Sequence, residues 1–177
     1  MKNLENMKIE TERLDISPAT VDFAEDIYNA LNDSITQYLS FPSPESIDDT
    51  IAFLEINEKN FRNGEWVAFS VMTKEEEFVW TCGVVDLKSD SPKLWIRISQ
   101  EQQWKWYAKE MMTSLISWFF ENFDNYFLTY QVDENNEASI ALVQKLWWEL
   151  FRWPFEEEQK LVSWRILNVL EYRIYRK

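Results

Sequence analysis

The stretch LWIRISQEQQWKWYAKEMMTSLISW, residues 94–118, decides the fold. Its first residues alternate, with Ile96 and Ile98 on one side of a predicted strand and Trp95 and Arg97 on the other. Apolar residues then recur at steps of three and four, which is typical of an amphipathic helix. They are Ala108, Met111, Met112, Leu115, Phe119 and Phe120. Because a helix N-terminus gathers backbone N–H groups at its positive dipole end, the stretch predicts an anion site suited to phosphate.

The turn inside this stretch resembles a known cofactor loop. Gln103-Trp104-Lys105-Trp106-Tyr107-Ala108 is similar to the pyrophosphate loop of the GNAT acetyltransferases, whose pattern is Q/R-x-x-G-x-G/A. Gln103 and Ala108 match the pattern, Trp106 stands at the family's glycine, and Trp104 stands where glycine is also common. Glycine lets the backbone approach the phosphates without a Cβ between them. An indole at either place would therefore crowd the cofactor.

A second motif lies further along the chain. The segment DENNEASIALVQKLWWEL, residues 133–150, resembles the GNAT phrase N-x-x-S-x-x-L-x-x-K-x-G-F. Four positions match in register, and Trp147 again takes the place of a glycine. The matching residues are Asn136, Ser139, Leu142 and Lys145. Position and spacing together make this match more specific than the loop alone.

The resemblance covers nearly the whole chain, residues 8–176. The opening KIETERLDISPA, residues 8–19, resembles the TERL-x-L-R-P opening of the ribosomal-protein-alanine branch, with Ser17 in place of arginine. The predicted element order, β-α-α-β-β-β-α-β-α-β-β, is the GNAT order. It implies an α/β (α+β) fold in one domain, residues 1–177 with the core at 8–176. We expect a mostly antiparallel sheet of six or seven strands, four helices, and a V-shaped splay between the 94–99 strand and the parallel strand that begins near Tyr126.

The chain is poor in glycine and rich in tryptophan. It has 2 Gly and 10 Trp in 177 residues, whereas an average composition would give about a dozen glycines. Seven or eight tryptophans stand where the resemblance expects or tolerates glycine. They are Trp80, Trp95, Trp104, Trp106, Trp147, Trp153 and Trp164, with Trp148 as the eighth. We interpret them as glycines of the natural protein, for example through a UGA codon read as glycine in the source organism. Deliberate substitution and a natural Trp-rich protein are the alternatives.

Composition excludes several classes of function. The chain has no histidine, which rules out Ser-His-Asp and Cys-His catalysis and any His-ligated metal. A net charge of −13 disfavours nucleic-acid binding and favours cationic partners such as amines. The single cysteine, Cys82, is interpreted as a buried inert thiol in a protein of the reducing cytoplasm. No apolar run is long enough to span a membrane, and the sequence leaves monomer and homodimer open.

The resemblance implies acetyl-CoA as co-substrate, with no metal. In the family, backbone groups of the central strand bind the pantetheine arm, which maps to Ile96, Arg97 and Ile98. The turn, residues 103–108, would bind the pyrophosphate, and Lys105 would add a positive charge there. Asn136 would bond the pantetheine arm and Ser139 would lie near the CoA sulfur or phosphates. Helix capping by Asn135 or Asn136 explains the same residues equally well.

The resemblance does not identify the catalytic base or acid. The candidates are Asp86 at a strand end, Tyr130 on the strand beside the splay, and Glu171 with Tyr172 on the last strand. We expect an N-acetyltransferase that acts on a primary amine, either a protein N-terminal α-amine or a small amine. Polyamine or aminoglycoside acetylation is the nearest alternative. A non-catalytic GNAT-fold binding module is the other, because Trp104 and Trp106 would obstruct the cofactor.

Overall fold

The computed structural model describes residues 7–31, 35, 38, 43–98, 107–157 and 167–176. Within these ranges a short 3-10 turn precedes the first of four α-helices. The helices are α1 (Ala24–Ala30), α2 (Ile47–Asn63), α3 (Tyr107–Asn122) and α4 (Glu137–Lys145). The strands are β1 (Ile9–Glu10), β2 (Leu14–Pro18), β3 (Val67–Thr73), β4 (Phe78–Val85), β5 (Lys93–Ile98), β6 (Phe127–Asp133), β7 (Glu149–Glu157) and β8 (Leu167–Tyr175).

The strands form one sheet in the order β1-β2-β3-β4-β5-β6-β8-β7. Neighbouring strands are antiparallel except β5 and β6, which run parallel in the middle of the sheet. Their ladder has a single pair, Lys93 with Thr129, although β5 continues to Ile98 and β6 to Asp133. The two strands therefore separate towards their carboxyl ends, and the predicted splay is confirmed.

The sheet has eight strands, where the sequence predicted six or seven. The difference lies at the N-terminus, because residues 8–19 were predicted as one strand and instead form the hairpin of β1 and β2. The hairpin turn is held by Thr11, whose N–H donates to the carbonyl of Leu14 and whose hydroxyl accepts from the Leu14 N–H. The class of fold, the element order and the central place of β5 are as predicted.

Two apolar clusters lie on opposite faces of the sheet. The larger contains α3, with Met111, Met112 and Leu115 packed on even-numbered residues of β5 and β6. The smaller lies under α1 and α2, where Ile27 and Leu54 pack with Ala68 and Trp95. Leu94 and Ile96 belong to the first cluster and Trp95 to the second, so the alternation read from the sequence is correct. The face of β5 under α1 and α2 is the one that carries Arg97.

Two further expectations concern the burial of Cys82 and the absence of a segment that could span a membrane. Cys82 is buried in β4, and burial raises the pKa of its thiol, so the thiol remains protonated and inert as predicted. None of the described helices combines the length and the apolar character required to cross a bilayer.

Helices α2 and α4 end in the same hydrogen-bond pattern, but the residue with the left-handed backbone is glycine in one and tryptophan in the other. At the end of α2, Gly64 has a φ of 67° and donates to Phe61, and Glu65 donates to Asn60. At the end of α4, Trp147 has a φ of 62° and donates to Gln144, and Trp148 donates to Val143. This is the Schellman motif, whose left-handed residue is usually glycine. Trp147 therefore occupies a glycine position by conformation as well as by motif.

Replacing Trp147 by glycine is expected to stabilise the protein. A left-handed conformation costs a residue with a Cβ roughly 1–2 kcal/mol, and glycine avoids most of that cost. The indole contributes little packing to offset it, since Trp147 is 85% exposed. We expect the melting temperature to rise by about 2–4 °C. Trp147→Ala is the matched control because it removes the indole and keeps the Cβ. An equal gain in both variants, measured by thermal unfolding, would show that the backbone conformation is not the cause.

The other tryptophans at presumed glycine places differ from Trp147. Trp153 is 75% exposed on β7. Trp80 and Trp148 are buried in the main core, and neither indole N–H has a partner among the described residues. Trp148 packs edge-on against Tyr130, with ring centroids 5.9 Å apart. Trp148 thus fills the aromatic place of the motif, and the glycine place belongs to Trp147.

Candidate active site

The opening between β5 and β6 is a cleft, and three of the predicted cofactor residues lie along its β5 edge. Beyond Lys93, the β6-facing backbone edge of β5 forms no ladder with any described strand, while the other edge stays paired with β4. Ile96, Arg97 and Ile98 lie on this stretch. An extended ligand arm can therefore add to β5 as a strand would, through backbone hydrogen bonds. The geometry fits the pantetheine arm that the resemblance assigns to these residues.

The described part of helix α3 begins at Tyr107, inside the predicted pyrophosphate turn of residues 103–108. Gln103, Trp104, Lys105 and Trp106 lie outside the described residues, whereas Tyr107 and Ala108 form the first turn of α3. The helix thus starts where the prediction requires, on the carboxyl side of β5. Its N-terminal dipole end favours an anion at this end of the cleft.

The first turn of α3 is tied to the hairpin of β1 and β2. The Glu110 carboxylate accepts from the Thr11 hydroxyl at 2.5 Å and from the Arg13 N–H at 2.9 Å. It also pairs with the Arg13 guanidinium at 2.6 Å. Partial burial acts to raise the pKa of Glu110, but the hydrogen bonds from Thr11 and Arg13 outweigh it and lower the pKa. The TERL phrase therefore anchors the helix that follows the predicted phosphate turn.

The second motif begins α4 and faces Tyr130. The Asn136 side chain caps α4 by accepting from the Ser139 N–H at 3.2 Å. The Ser139 side chain hydrogen-bonds to Tyr130, which lies on β6 beside the splay. The structure thus brings together three of the residues singled out from the sequence. The capping explanation holds for Asn136, and its side-chain oxygen is engaged in that cap.

Tyr130 is buried, with 5% of its surface exposed. Burial raises its pKa above the usual value, and the hydrogen bond with Ser139 only partly opposes this. The phenol therefore stays protonated at neutral pH. In that state it can donate a proton or a hydrogen bond, and it is poorly suited to act as a base.

Glu171 lies on the opposite face of the sheet from Tyr130. The register pairs Glu171 with Gln131, so their side chains share one face of the sheet. Because Lys93 pairs with Thr129, this is also the face of Lys93, Trp95 and Arg97. Glu171 is buried and accepts from the Arg173 guanidinium at 3.0 Å. Its neighbour Tyr172 turns to the other face and joins the main core.

Asp133 is a candidate that the sequence prediction missed. It is the last residue of β6, at the splayed end, and is 3% exposed. One carboxylate oxygen accepts from the N–H and the side chain of Asn135, both at 2.9 Å. The other oxygen is buried and has no partner among the described residues. The available signal in the sequence was an acid that closes an apolar strand.

Asp86 lies away from the other three candidates, Tyr130, Glu171 and Asp133. It follows β4, where Val85 pairs with Lys93, and its carboxylate is 3.6 Å from the Lys93 ammonium. The splay opens at the other end of β5, near Ile98. The side chain of Asp86 is 53% exposed, and the residue has a φ of 58°, which suits a turn aspartate. The structure therefore does not bring Asp86 together with Tyr130, Glu171 and Asp133.

Comparison with solved structures shows the same fold. The protein that modifies the N-terminal serine of ribosomal protein L7/L12 in Salmonella typhimurium superposes with a TM-score of 0.83 at 12% identity, covering 97% of this chain and 100% of that chain. A ribosomal L7/L12 α-N-protein acetyltransferase in complex with coenzyme A gives 0.84 at 12% identity, covering 96% and 98%. Spermidine N-acetyltransferase from Vibrio cholerae, in complex with CoA and spermine, gives 0.79 at 17% identity, covering 93% and 96%.

Sequence comparison supports one family. No curated protein matches the chain significantly. A family model, described as an acetyltransferase (GNAT) domain, matches residues 13–146, a range that runs from the TERL phrase through the splay to the end of α4. With that match and the shared fold, the chain belongs to the GNAT acetyltransferase family.

Proposed function

We propose that the protein transfers the acetyl group of acetyl-CoA to a primary amine, either a protein N-terminal α-amine or a small amine. The observation that carries the proposal is the cleft: β5 and β6 separate after one ladder pair, and α3 begins at its mouth. Acetyl-CoA needs an extended edge for its pantetheine arm and a helix N-terminus for its pyrophosphate. The cleft combines both features.

The reaction requires one bond to form and one to break. The amine nitrogen attacks the thioester carbonyl carbon, the C–S bond breaks, and the acetyl group remains on nitrogen as an amide. The sulfur leaves as a thiolate and takes up a proton, while the amine loses one. A protein accelerates this by positioning the reactants and by supplying a donor and an acceptor for these protons.

The two proton-transfer roles fall on opposite faces of the sheet. Tyr130, held by Ser139 and protonated at neutral pH, is assigned as the donor to the departing thiolate. Asp133 and Glu171 lie on the face that carries Arg97 and are assigned as acceptors for the amine proton, directly or through water. The buried carboxylate oxygen of Asp133 makes it the first of the two to test.

Tyr130→Phe is expected to lower kcat by about 100-fold and to leave acetyl-CoA affinity unchanged. General acid catalysis typically contributes 10²–10⁴-fold, and the variant keeps the buried ring while removing the proton. Steady-state kinetics and calorimetric titration would separate the two quantities. Tyr126→Phe is the matched control, because Tyr126 is 70% exposed and directly precedes the first residue of the same strand. Full activity in Tyr130→Phe would remove Tyr130 from the mechanism.

The structural comparison includes an enzyme for each of the two kinds of acceptor, a protein N-terminus and a small amine. The L7/L12 enzymes modify a protein N-terminus, and the Vibrio cholerae enzyme acts on spermidine. The chain's net charge of −13 suits either kind of cationic amine. The competing proposal is a binding module without turnover, which follows if Trp104 and Trp106 close the phosphate turn. Titration of acetyl-CoA into the chain and into its glycine variants tests this directly.

A further inference from the structure

One carboxylate, that of Glu110 in the first turn of α3, receives every contact that the hairpin of β1 and β2 sends to this turn through hydrogen bonds. Its Oε1 accepts from the Thr11 hydroxyl and from the Arg13 N–H. Its Oε2 accepts from Nε of Arg13 at 2.7 Å and lies 2.6 Å from the second guanidinium nitrogen. Each oxygen therefore faces two donor groups. Forked pairing of a guanidinium with a carboxylate fixes orientation as well as distance.

Arg13 also contacts Tyr107, the first residue of the described helix. Its guanidinium carbon lies 4.8 Å from the centroid of the Tyr107 ring. Tyr107 and Glu110 are three residues apart, so their side chains share one face of α3 and lean towards its N-terminus. Arg13 thus binds a ring and a carboxylate of the same turn at once, and it holds that turn at two points.

The hairpin that carries Arg13 is itself fixed to the sheet. Strand β2 pairs with β3 along its whole length, and the Lys74 N–H donates to the Arg13 carbonyl at 3.1 Å. Within the hairpin turn, the Leu14 N–H donates to the Thr11 hydroxyl at 2.8 Å. The side chain of Glu110 is 18% exposed, so salt screens its pairing less than that of a surface pair. The first turn of α3 is therefore tied to a rigid element.

The start of a helix is the part that needs such a tie. Its first N–H groups have no partner within the helix, and the first turn fixes several residues for one hydrogen bond. The N–H groups of Tyr107 and Ala108 are among those that the family resemblance assigns to the pyrophosphate. A site gains affinity when its donors are ordered before the ligand arrives. Contacts that hold this turn can therefore act on the coenzyme without touching it.

We propose that Thr11, Arg13 and Glu110 are positioning residues for acetyl-CoA, which hold the first turn of α3 so that its N–H groups meet the pyrophosphate. The proposal rests on the proposed function and adds the β1–β2 hairpin to the coenzyme site. Electrostatics alone predicts the opposite role for Glu110, because a negative charge beside a site for an anion should weaken binding. The sign of the effect of removing that charge therefore separates the two roles.

Glu110→Gln, made in the Trp104→Gly/Trp106→Gly chain, should weaken acetyl-CoA binding about tenfold in calorimetric titration, the effect of one charge-assisted hydrogen bond. Arg13→Lys should act similarly, because lysine keeps the charge and loses the fork and the stacking. With the tripeptide Leu-Gly-Gly as acceptor, KM for acetyl-CoA should rise while kcat changes less than about twofold. The reason is that the assigned proton donor and acceptors lie on β6 and β8, away from α3.

Glu58→Gln is the matched control for loss of a carboxylate charge. Glu58 pairs with Arg62 within α2, and both side chains are exposed, so the pair ties no other element to α3. This variant should leave the affinity for acetyl-CoA unchanged. Equal or tighter binding of acetyl-CoA to Glu110→Gln than to its parent chain would overturn the proposal.

Amide hydrogen exchange gives a second readout that needs no ligand. The N–H groups of Met111 and Met112 donate to carbonyls of the first turn of α3, so their exchange reports how often that turn opens. Glu110→Gln should speed their exchange about tenfold and leave residues 116–122 unchanged. Unchanged exchange at Met111 and Met112 would overturn the proposal. Failure of the Trp104→Gly/Trp106→Gly chain to bind acetyl-CoA would instead refute the proposed function, and the exchange rates would still decide whether the hairpin orders α3.

Discussion

The double substitution Trp104→Gly and Trp106→Gly is expected to raise the affinity for acetyl-CoA by about 30-fold or more. Both residues stand where the GNAT loop uses glycine, and the phosphates approach the backbone of that loop closely. An indole in such a place costs about 1–3 kcal/mol per site, as overpacking does elsewhere, and the two sites act on one ligand. Calorimetric titration into both forms measures the difference.

The same substitution should leave the fold intact. Among the described residues the main core is built from α3, α4 and the sheet, with Met112, Leu115 and Phe119 fully buried. Far-ultraviolet circular dichroism of the two forms should therefore coincide. Trp153→Gly is the control for a general effect of removing an indole, because Trp153 is exposed on β7. Tight binding of acetyl-CoA to the original chain would show that glycine is not required in the loop.

Asn57→Leu is expected to destabilise the protein by about 3–5 kcal/mol. Asn57 is 1% exposed on α2, and its side chain bonds the backbone in three places. It donates to the carbonyls of Ala19 and Ala68 at 2.9 and 3.2 Å and accepts from the Ala68 N–H at 2.7 Å. Leucine has a similar size but removes this partner from the Ala19 carbonyl and the Ala68 N–H, at about 1–3 kcal/mol each. The Ala68 carbonyl still accepts from the Ala19 N–H.

Lys59→Leu, two positions further along α2 and exposed, is the matched control and should change the free energy of unfolding by less than about 0.5 kcal/mol. Urea unfolding followed by circular dichroism measures both variants. If Asn57→Leu unfolds at the same urea concentration as the original chain, the amide does not hold α2 on the sheet.

Much of the fold could be predicted because the local signals agreed with one another. The alternation of residues 94–98 and the helical periodicity after Tyr107 placed β5 and α3 correctly, since each pattern is set by which face meets the core. The Asn136 motif marked the start of α4, where Asn136 caps the helix. The hairpin of β1 and β2 was missed because its turn depends on Thr11, whose hydroxyl donates to Glu110 on α3, a tertiary contact.

The site was less predictable than the fold for a physical reason. Tyr130 and Ser139 could be singled out by motif and strand position, but whether a tyrosine acts as acid or base depends on burial, which the sequence does not state. Asp133 matters because one of its carboxylate oxygens is buried without a partner among the described residues. Such an atom is visible only when the surrounding elements are assembled.

Trp147 shows where motif and structure reinforce each other. The phrase K-x-G-F predicted a glycine at residue 147, and the backbone there has a φ of 62°, like that of Gly64 at the end of α2. The codon at Trp147 separates the explanations: UGA would support recoding from glycine, and UGG would exclude it. Trp80, buried in β4, shows that motif alone is insufficient, because its indole fills space in the core.

The central claim is that the cleft between β5 and β6 brings acetyl-CoA to an amine, and one assay tests it most directly. The chain with glycine at residues 104 and 106 is mixed with acetyl-CoA and Leu-Gly-Gly, and released CoA thiol and N-acetylated peptide are measured together. The account predicts equal amounts of the two products, with a rate that Tyr130→Phe lowers about 100-fold. Thiol release no faster than uncatalysed thioester hydrolysis, with neither Leu-Gly-Gly nor spermidine acetylated, would contradict it.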